Sequence, residues 1–162
     1  MSDYYFDADA QVKLHLSEAG SVWVRGLARA TETNGELLHQ LYTVDVSQVE
    51  VSAALAVAFR AGRIDAETQA AAFERYFSEV ADTFQLIPVN AGLIVEAVQL
   101  TQKHSLKALD AFHVAAALQL SRVLAEFEFP LTVVSSDHQV LTAARAENLP
   151  VENPRDHPDP ND

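Results

Sequence analysis

Short apolar runs alternate with helix-patterned stretches from one end of this chain to the other, and that alternation is what most restricts its fold. YYFD at residues 4–7 reads as a strand, and AQVKLHLSE after it carries helical spacing through Val12 and Leu16 up to a break at Gly20. SVWVRGLARATE is a second helical stretch, ending near Asn34-Gly35. A strand within LLHQLYTVDV precedes a helix opened at Ser47, and Asp65 with Thr68 opens another. FQLIPV (84–89) reads as a strand, AGLIVEAVQLTQKH as a helix, and ALDAFHVAAALQLSRVLAEF as a long, nearly all-apolar helix through the middle of the fold, buried on most sides. LTVVSS (131–136) is the clearest strand, HQVLTAARAE the last helix and LPVEN a closing strand. Parallel neighbours need a helical crossover between them. Such a pattern therefore predicts an α/β fold, a mainly parallel sheet of four or five strands with helices on both faces. One domain is expected over residues 1–154, with a mobile tail at 155–162.

Composition narrows the chemistry. With 162 residues, 49% of them hydrophobic, the chain can bury a core without disulfide or metal staples. It has no cysteine, which excludes a disulfide framework and thiolate chemistry and permits a reducing cytoplasm. No basic-then-apolar leader and no run of about 18 uncharged apolar residues is present, so neither secretion nor membrane spanning is signalled, and a cytoplasmic location is expected. The net charge of −12 speaks against a broad basic nucleic-acid-binding face. Acids gathered in one pocket can nevertheless recruit Mg²⁺ or Mn²⁺, which then meets phosphate in place of basic side chains.

In open parallel sheets ligands sit beyond the carboxyl ends of the strands. Asp7 ends the first strand, Glu50 lies in the first turn of the helix after the second, and Asp137 follows VVSS. Asp110 opens the long apolar helix, where a charged side chain is costly to bury without a partner or an ion. Each has an ordinary explanation too. Asp7, Asp9 and Asp137 can cap helices, Ser47-Gln48-Val49-Glu50 fits a capping box, and Asp110 can be satisfied by Ser105, Lys107 or backbone amides. Four carboxylates converging on one sheet edge would, however, repel one another by a few kcal/mol per close pair, on the order of 4 kcal/mol at 4 Å and an effective dielectric near 20. A divalent cation removes that penalty, and all-oxygen donors suit Mg²⁺ or Mn²⁺ rather than zinc. The six histidines show no zinc-type spacing; His113, one turn after Asp110, reads as a core or supporting residue more readily than as a ligand.

YYFDADAQVKLHLSEAGSVWV, VSQVEVSAAL, LKALDAFHVAAAL and TVVSSDHQVLTAARAENLPVENP, in that order from Tyr4 to Pro154, resemble a PIN domain, and among PIN domains the VapC-type ribonuclease toxins. The resemblance implies a three-layer PIN-like fold and an acidic quartet of Asp7, Glu50, Asp110 and Asp137 holding Mg²⁺ or Mn²⁺, with Asp7 and Asp110 as principal ligands and Ser135 in support. Asp9 stands where the family usually has Ser or Thr, an extra carboxylate that can tighten metal binding or repel the RNA phosphate. The implied reaction is hydrolysis of RNA by a metal-activated water. Lys13, Lys107 and Arg25 are candidate contacts to the RNA backbone, although each also reads as a solvated surface charge. The implied partners are an RNA substrate, a cognate small antitoxin whose tail lies over the acids, and a second copy in a homodimer. AALAVAFRAG and AAAFERYFSEV read as core or as a groove for one of these partners. Two other readings stand beside this one: a PIN-like binding module without catalysis, and a phosphatase of the haloacid-dehalogenase type using Asp7 as nucleophile and Asp9 as acid/base.

Overall fold

The computed structural model describes residues 2–157. Five strands, β1 (Ser2–Phe6), β2 (His39–Val44), β3 (Gln85–Ile87), β4 (Leu131–Val134) and β5 (Val151–Glu152), form one sheet in the order β3-β2-β1-β4-β5. Every pairing is parallel, with Tyr5 opposite Tyr42 on one side and Val133 on the other. Helices α1 (Ala8–His15) and α2 (Ser21–Ala28) join β1 to β2, and α3 (Ser47–Arg60) and α4 (Ala66–Thr83) join β2 to β3. Helices α5 (Ala91–Lys103) and α6 (Ala108–Ala125) then cross to β4, and α7 (His138–Ala146) leads to β5. The three-layer α/β architecture expected from the alternation is the one observed.

Strand side chains alternate between faces, and the core divides accordingly. Tyr5, Val44 and Val133 face α5, α6 and α7, packing on Leu93, Leu100, Val114 and Val140. Phe6, Leu41 and Val134 face the opposite layer, on Val12, Val24, Leu55 and Tyr76 of α1 to α4. A parallel sheet covered on both sides explains why its strands read as continuous apolar runs.

Several boundaries differ from those the sequence suggests. Strand β1 starts at Ser2 and stops at Phe6, so Asp7 is the N-cap of α1 rather than the end of the strand. Helix α2 ends at Ala28, and the next segment folds back through an isolated bridge between Thr31 and Leu37. In α6 the buried residues end at Leu118, and Val123 is 55% exposed, so only its first half runs through the core. By length and hydropathy α6 could cross a membrane, but Ala111 and Val114–Leu118 are instead packed inside the fold. Of the stretch expected as a mobile tail, Arg155 and Asp156 complete a 3-10 turn begun at Pro154, and His157 stacks on Trp23 with ring centroids 4.1 Å apart; residues 158–162 lie outside the described residues. Gly20, at φ +82, lets that turn close: a Cβ there would stand 2.3 Å from the Pro154 carbonyl oxygen.

Candidate active site

From β1 the chain moves to one side of the sheet, and from β4 to the other. The carboxyl ends of these two neighbouring strands are therefore a topological switch point, the place where ligands bind in folds of this kind. Asp7 follows β1 directly, and Ser135 and Asp137 follow β4.

Asp7 is buried, its Oδ1 accepting the Ala10 N–H at 2.8 Å and its Oδ2 accepting the Ser135 hydroxyl. Ser135 Oγ in turn accepts the Asp137 N–H at 2.9 Å, which laces the two strand ends together. Asp137 caps α7 through Oδ1, taking the N–H groups of Gln139 and Val140. The capping explanations for Asp7 and Asp137 thus hold, and each carboxylate keeps further lone pairs. Burial pushes the Asp7 carboxyl up to about 7; nearby His113 pulls down, the negative charge of Asp9 pushes up, and the Ser135 hydroxyl and Ala10 N–H oppose the rise.

Asp110 lies in the first turn of α6, where the helix dipole favours a carboxylate. It is half-buried, and its Oδ2 is shielded from solvent with no hydrogen-bond partner. Burial raises its pKa first, the charge of Asp137 next, and that of Glu50 more weakly, against the backbone N–H and charge of Lys107. Ser105 bonds Gln139 rather than Asp110.

Glu50 does not close a capping box. The N-cap of α3 is Val46, without a side-chain cap bond, and Ser47 is buried beside Gln11 at 3.5 Å. Its carboxylate reaches across to α6 instead, 2.7 Å from Nε2 of His113. The other ring nitrogen, Nδ1, lies 3.0 Å from the Tyr5 hydroxyl. Sequence reasoning missed this link; the only available signal was the spacing of His113 from Asp110, since Tyr5 reads as an ordinary apolar strand residue.

The basic candidates are less free than expected. Lys13 is no solvated surface charge: it is 1% exposed, with Nζ 3.1 Å from Glu18 and 3.5 Å from Asp9. Arg25 donates to the carbonyls of Leu14 and Leu16 at the end of α1. Lys107 is exposed at the start of α6. A cleft of about 690 Å³ is lined by Asp9, Lys13, Glu18, Glu50, Arg63 and Val57 among others; Asp7, Asp110 and Asp137 are not part of its lining.

Among the described residues no three His, Cys, Asp or Glu side chains form a ready-made cage for a metal ion. Mg²⁺ does not require one, since it keeps several waters and takes one or two carboxylates from a protein. The unpartnered Asp110 oxygen, the buried Asp7 carboxyl and the all-oxygen donor set fit such an ion.

A family model described as the PIN domain matches residues 4–146. Among solved structures, the chain is similar to FitAcB from Neisseria gonorrhoeae at 17% identity and a TM-score of 0.61, covering 93% of this chain and 97% of that one. A toxin-antitoxin complex from Klebsiella pneumoniae aligns at 18% identity and a TM-score of 0.57, covering 93% and 97% of the two chains. VapBC2 from Rickettsia felis, solved with a DNA fragment from its promoter, aligns at 13% and 0.55, covering 93% and 98%. No curated protein sequence matches the chain.

Proposed function

The chain belongs to the PIN domain family, and on that premise we propose that it is a Mg²⁺- or Mn²⁺-dependent endoribonuclease, the toxin of a VapBC-type toxin–antitoxin pair. The observation that carries this reading is the junction itself: Asp7, Ser135 and Asp137 laced at the switch point, with an unpartnered Asp110 oxygen coupled electrostatically to Asp137 and Glu50. The likeness of the chain to VapBC2 and to a toxin-antitoxin complex supports it at the level of the fold.

In this reading Asp7 and Asp110 hold the ion, with Glu50 and Asp137 completing the pocket directly or through water. Bound there, the ion would supply an activated water and would offset the negative charge that builds on the phosphoryl oxygens as the RNA phosphodiester is hydrolysed. Ser135 orients the Asp7 carboxylate through its hydroxyl, and the Asp137 N–H fixes the Ser135 rotor. Asp9, in place of the usual Ser or Thr, sits beside the Lys13 ammonium, so the extra negative charge is countered before it can repel a phosphate. Exposed Lys107, three residues before Asp110, is the nearest candidate for a backbone phosphate contact; Lys13 acts on RNA only through the charge it cancels.

The partners proposed are RNA, a small antitoxin and a second copy of the chain, in the cytoplasm. The cleft with Val57 on one wall and Glu50 at its edge suits an antitoxin segment whose arginine or lysine enters the acids. The exposed Ile94, Val95 and Val98 of α5 suit a copy of the chain. The test is cleavage of an RNA panel by the purified protein with Mg²⁺ or Mn²⁺, with EDTA, and with Asp110→Asn. Cleavage that stops in EDTA and in the variant supports the proposal; undiminished cleavage in EDTA, or none by the wild type under any metal, overturns it.

A further inference from the structure

Among the described residues the Glu50 carboxylate has one hydrogen-bond partner, Nε2 of His113 at 2.7 Å. That histidine is 2% exposed and its ring is held edge-on to Tyr5, with centroids 5.9 Å apart. Tyr5 is fully buried, and its hydroxyl oxygen already accepts the Val44 N–H at 3.2 Å. The phenolic proton is then left to donate, and His113 Nδ1 lies 3.0 Å away. An imidazole that accepts at Nδ1 carries its proton at Nε2, facing a carboxylate that can only accept. The opposite tautomer would set a ring lone pair against the Glu50 charge. The four groups form a directed chain from Val44 through Tyr5 and His113 to Glu50.

Resting on the nuclease reading above, we infer that His113 is a positioning residue: it turns the Glu50 carboxylate of α3 toward the pocket at Asp110, and Tyr5 sets which ring nitrogen points at it. Asp110 and His113 are three residues apart on α6, so one helical turn carries both a carboxylate of the site and the group that aims another. Partners of this kind, one bond removed from a metal-binding carboxylate, are worth about 10- to 100-fold in affinity or activity.

A histidine that merely fills the core would tolerate either amide replacement equally. The side-chain nitrogen of asparagine reaches the place of Nδ1, and that of glutamine the place of Nε2, so the two variants separate the roles. The experiment compares wild type, His113→Gln, His113→Asn and Asp110→Asn in Mn²⁺ affinity by calorimetry, in kcat and KM on a cleaved RNA, and in melting temperature. Ring-nitrogen NMR of the metal-free wild type supplies a readout independent of metal and activity. The expected result is an Nε2–H tautomer, Mn²⁺ affinity and kcat within severalfold of wild type for His113→Gln, and both about 10- to 100-fold lower for His113→Asn at unchanged KM. An Nδ1–H tautomer, or Gln and Asn variants that behave alike in an active wild-type background, overturns the positioning role alone. A wild type that binds no Mn²⁺ and cuts no RNA, and so matches Asp110→Asn, overturns the nuclease reading and this role with it.

Discussion

Two groups of carboxylates each include an acid at the start of α1, and the chain treats them oppositely. Asp9 and Glu18 converge on the buried ammonium of Lys13, and Glu18 reaches on to Arg63 at 3.7 Å. Asp7, which caps α1, and Asp110 and Asp137 form no ion pair among the described residues. In the first group a cation from the chain offsets the burial of charge; in the second Asp7 and Asp110 hold their protons more tightly, with Asp7 raised to about 7. A chain with eleven lysines and arginines thus places one deep inside and still leaves the strand-end acids uncompensated. That contrast is what an externally supplied cation would explain.

The widest gap between the two groups should open on Asp110→Asn. RNA cleavage is expected to fall more than about 100-fold, beyond the loss typical of supporting residues, while the metal-free melting temperature holds or rises because repulsion from Asp137 and Glu50 is relieved. A clear drop in melting temperature would show that Asp110 is a structural acid after all.

The pH dependence of the metal-free protein comes next. The Asp7 carboxyl binds its proton more tightly folded than unfolded, so its contribution to stability is present below about pH 4 and is lost as pH rises through about 7, formally about 4 kcal/mol for a shift of this size. His15 works the other way: burial lowers it to about 4, so its contribution is lost as pH falls from about 6.5 toward 4. Denaturant melts of wild type and Asp7→Asn across pH 4 to 8 isolate the first effect as a difference curve. Saturating Mn²⁺ should flatten it, since metal and proton compete for the same oxygens. A difference curve without slope would place Asp7 with the compensated acids.

Lys13→Met tests the other group. Removing the ammonium leaves Asp9 and Glu18 without their counterion, but these are 38% and 29% exposed and partly hydrated. The cost should be about 2 kcal/mol, below the 3–5 kcal/mol of a wholly buried pair, read from urea midpoints. Asp9→Ser should have the smallest effect, under about 1 kcal/mol, because Lys13 keeps the closer Glu18, and cleavage should be retained or raised. A phosphatase activity that Asp9→Ser abolishes and Asp110→Asn spares would instead favour the phosphatase reading.

Much of this was legible in the chain. Covered parallel strands are apolar throughout, so VVSS and LIPV stood out; the strand-to-helix junctions led to Asp7, Glu50 and Asp137, and the charge opening an apolar helix led to Asp110. The first strand was less clear at its start because Asp3 is buried within it, a polar residue at a place pattern reading takes for a loop. Helix α2 was read too long because Arg29 and Ala30 are good helix formers, and only the Thr31–Leu37 bridge ends it. The S-x-x-E at Ser47 had the letters of a cap without its geometry, because Glu50 found a better partner across the core. Burial of Lys13 had no local signature beyond its spacing of four residues from Asp9, which equally describes a surface pair.

The stack of His157 on Trp23 has a practical corollary. The sequence holds a single tryptophan, so the protein's indole emission originates entirely at the place where its last described turn rests on α2. An unfolding curve followed by that emission reports release of the C-terminal turn, and circular dichroism must be recorded alongside it before the sheet can be said to have melted.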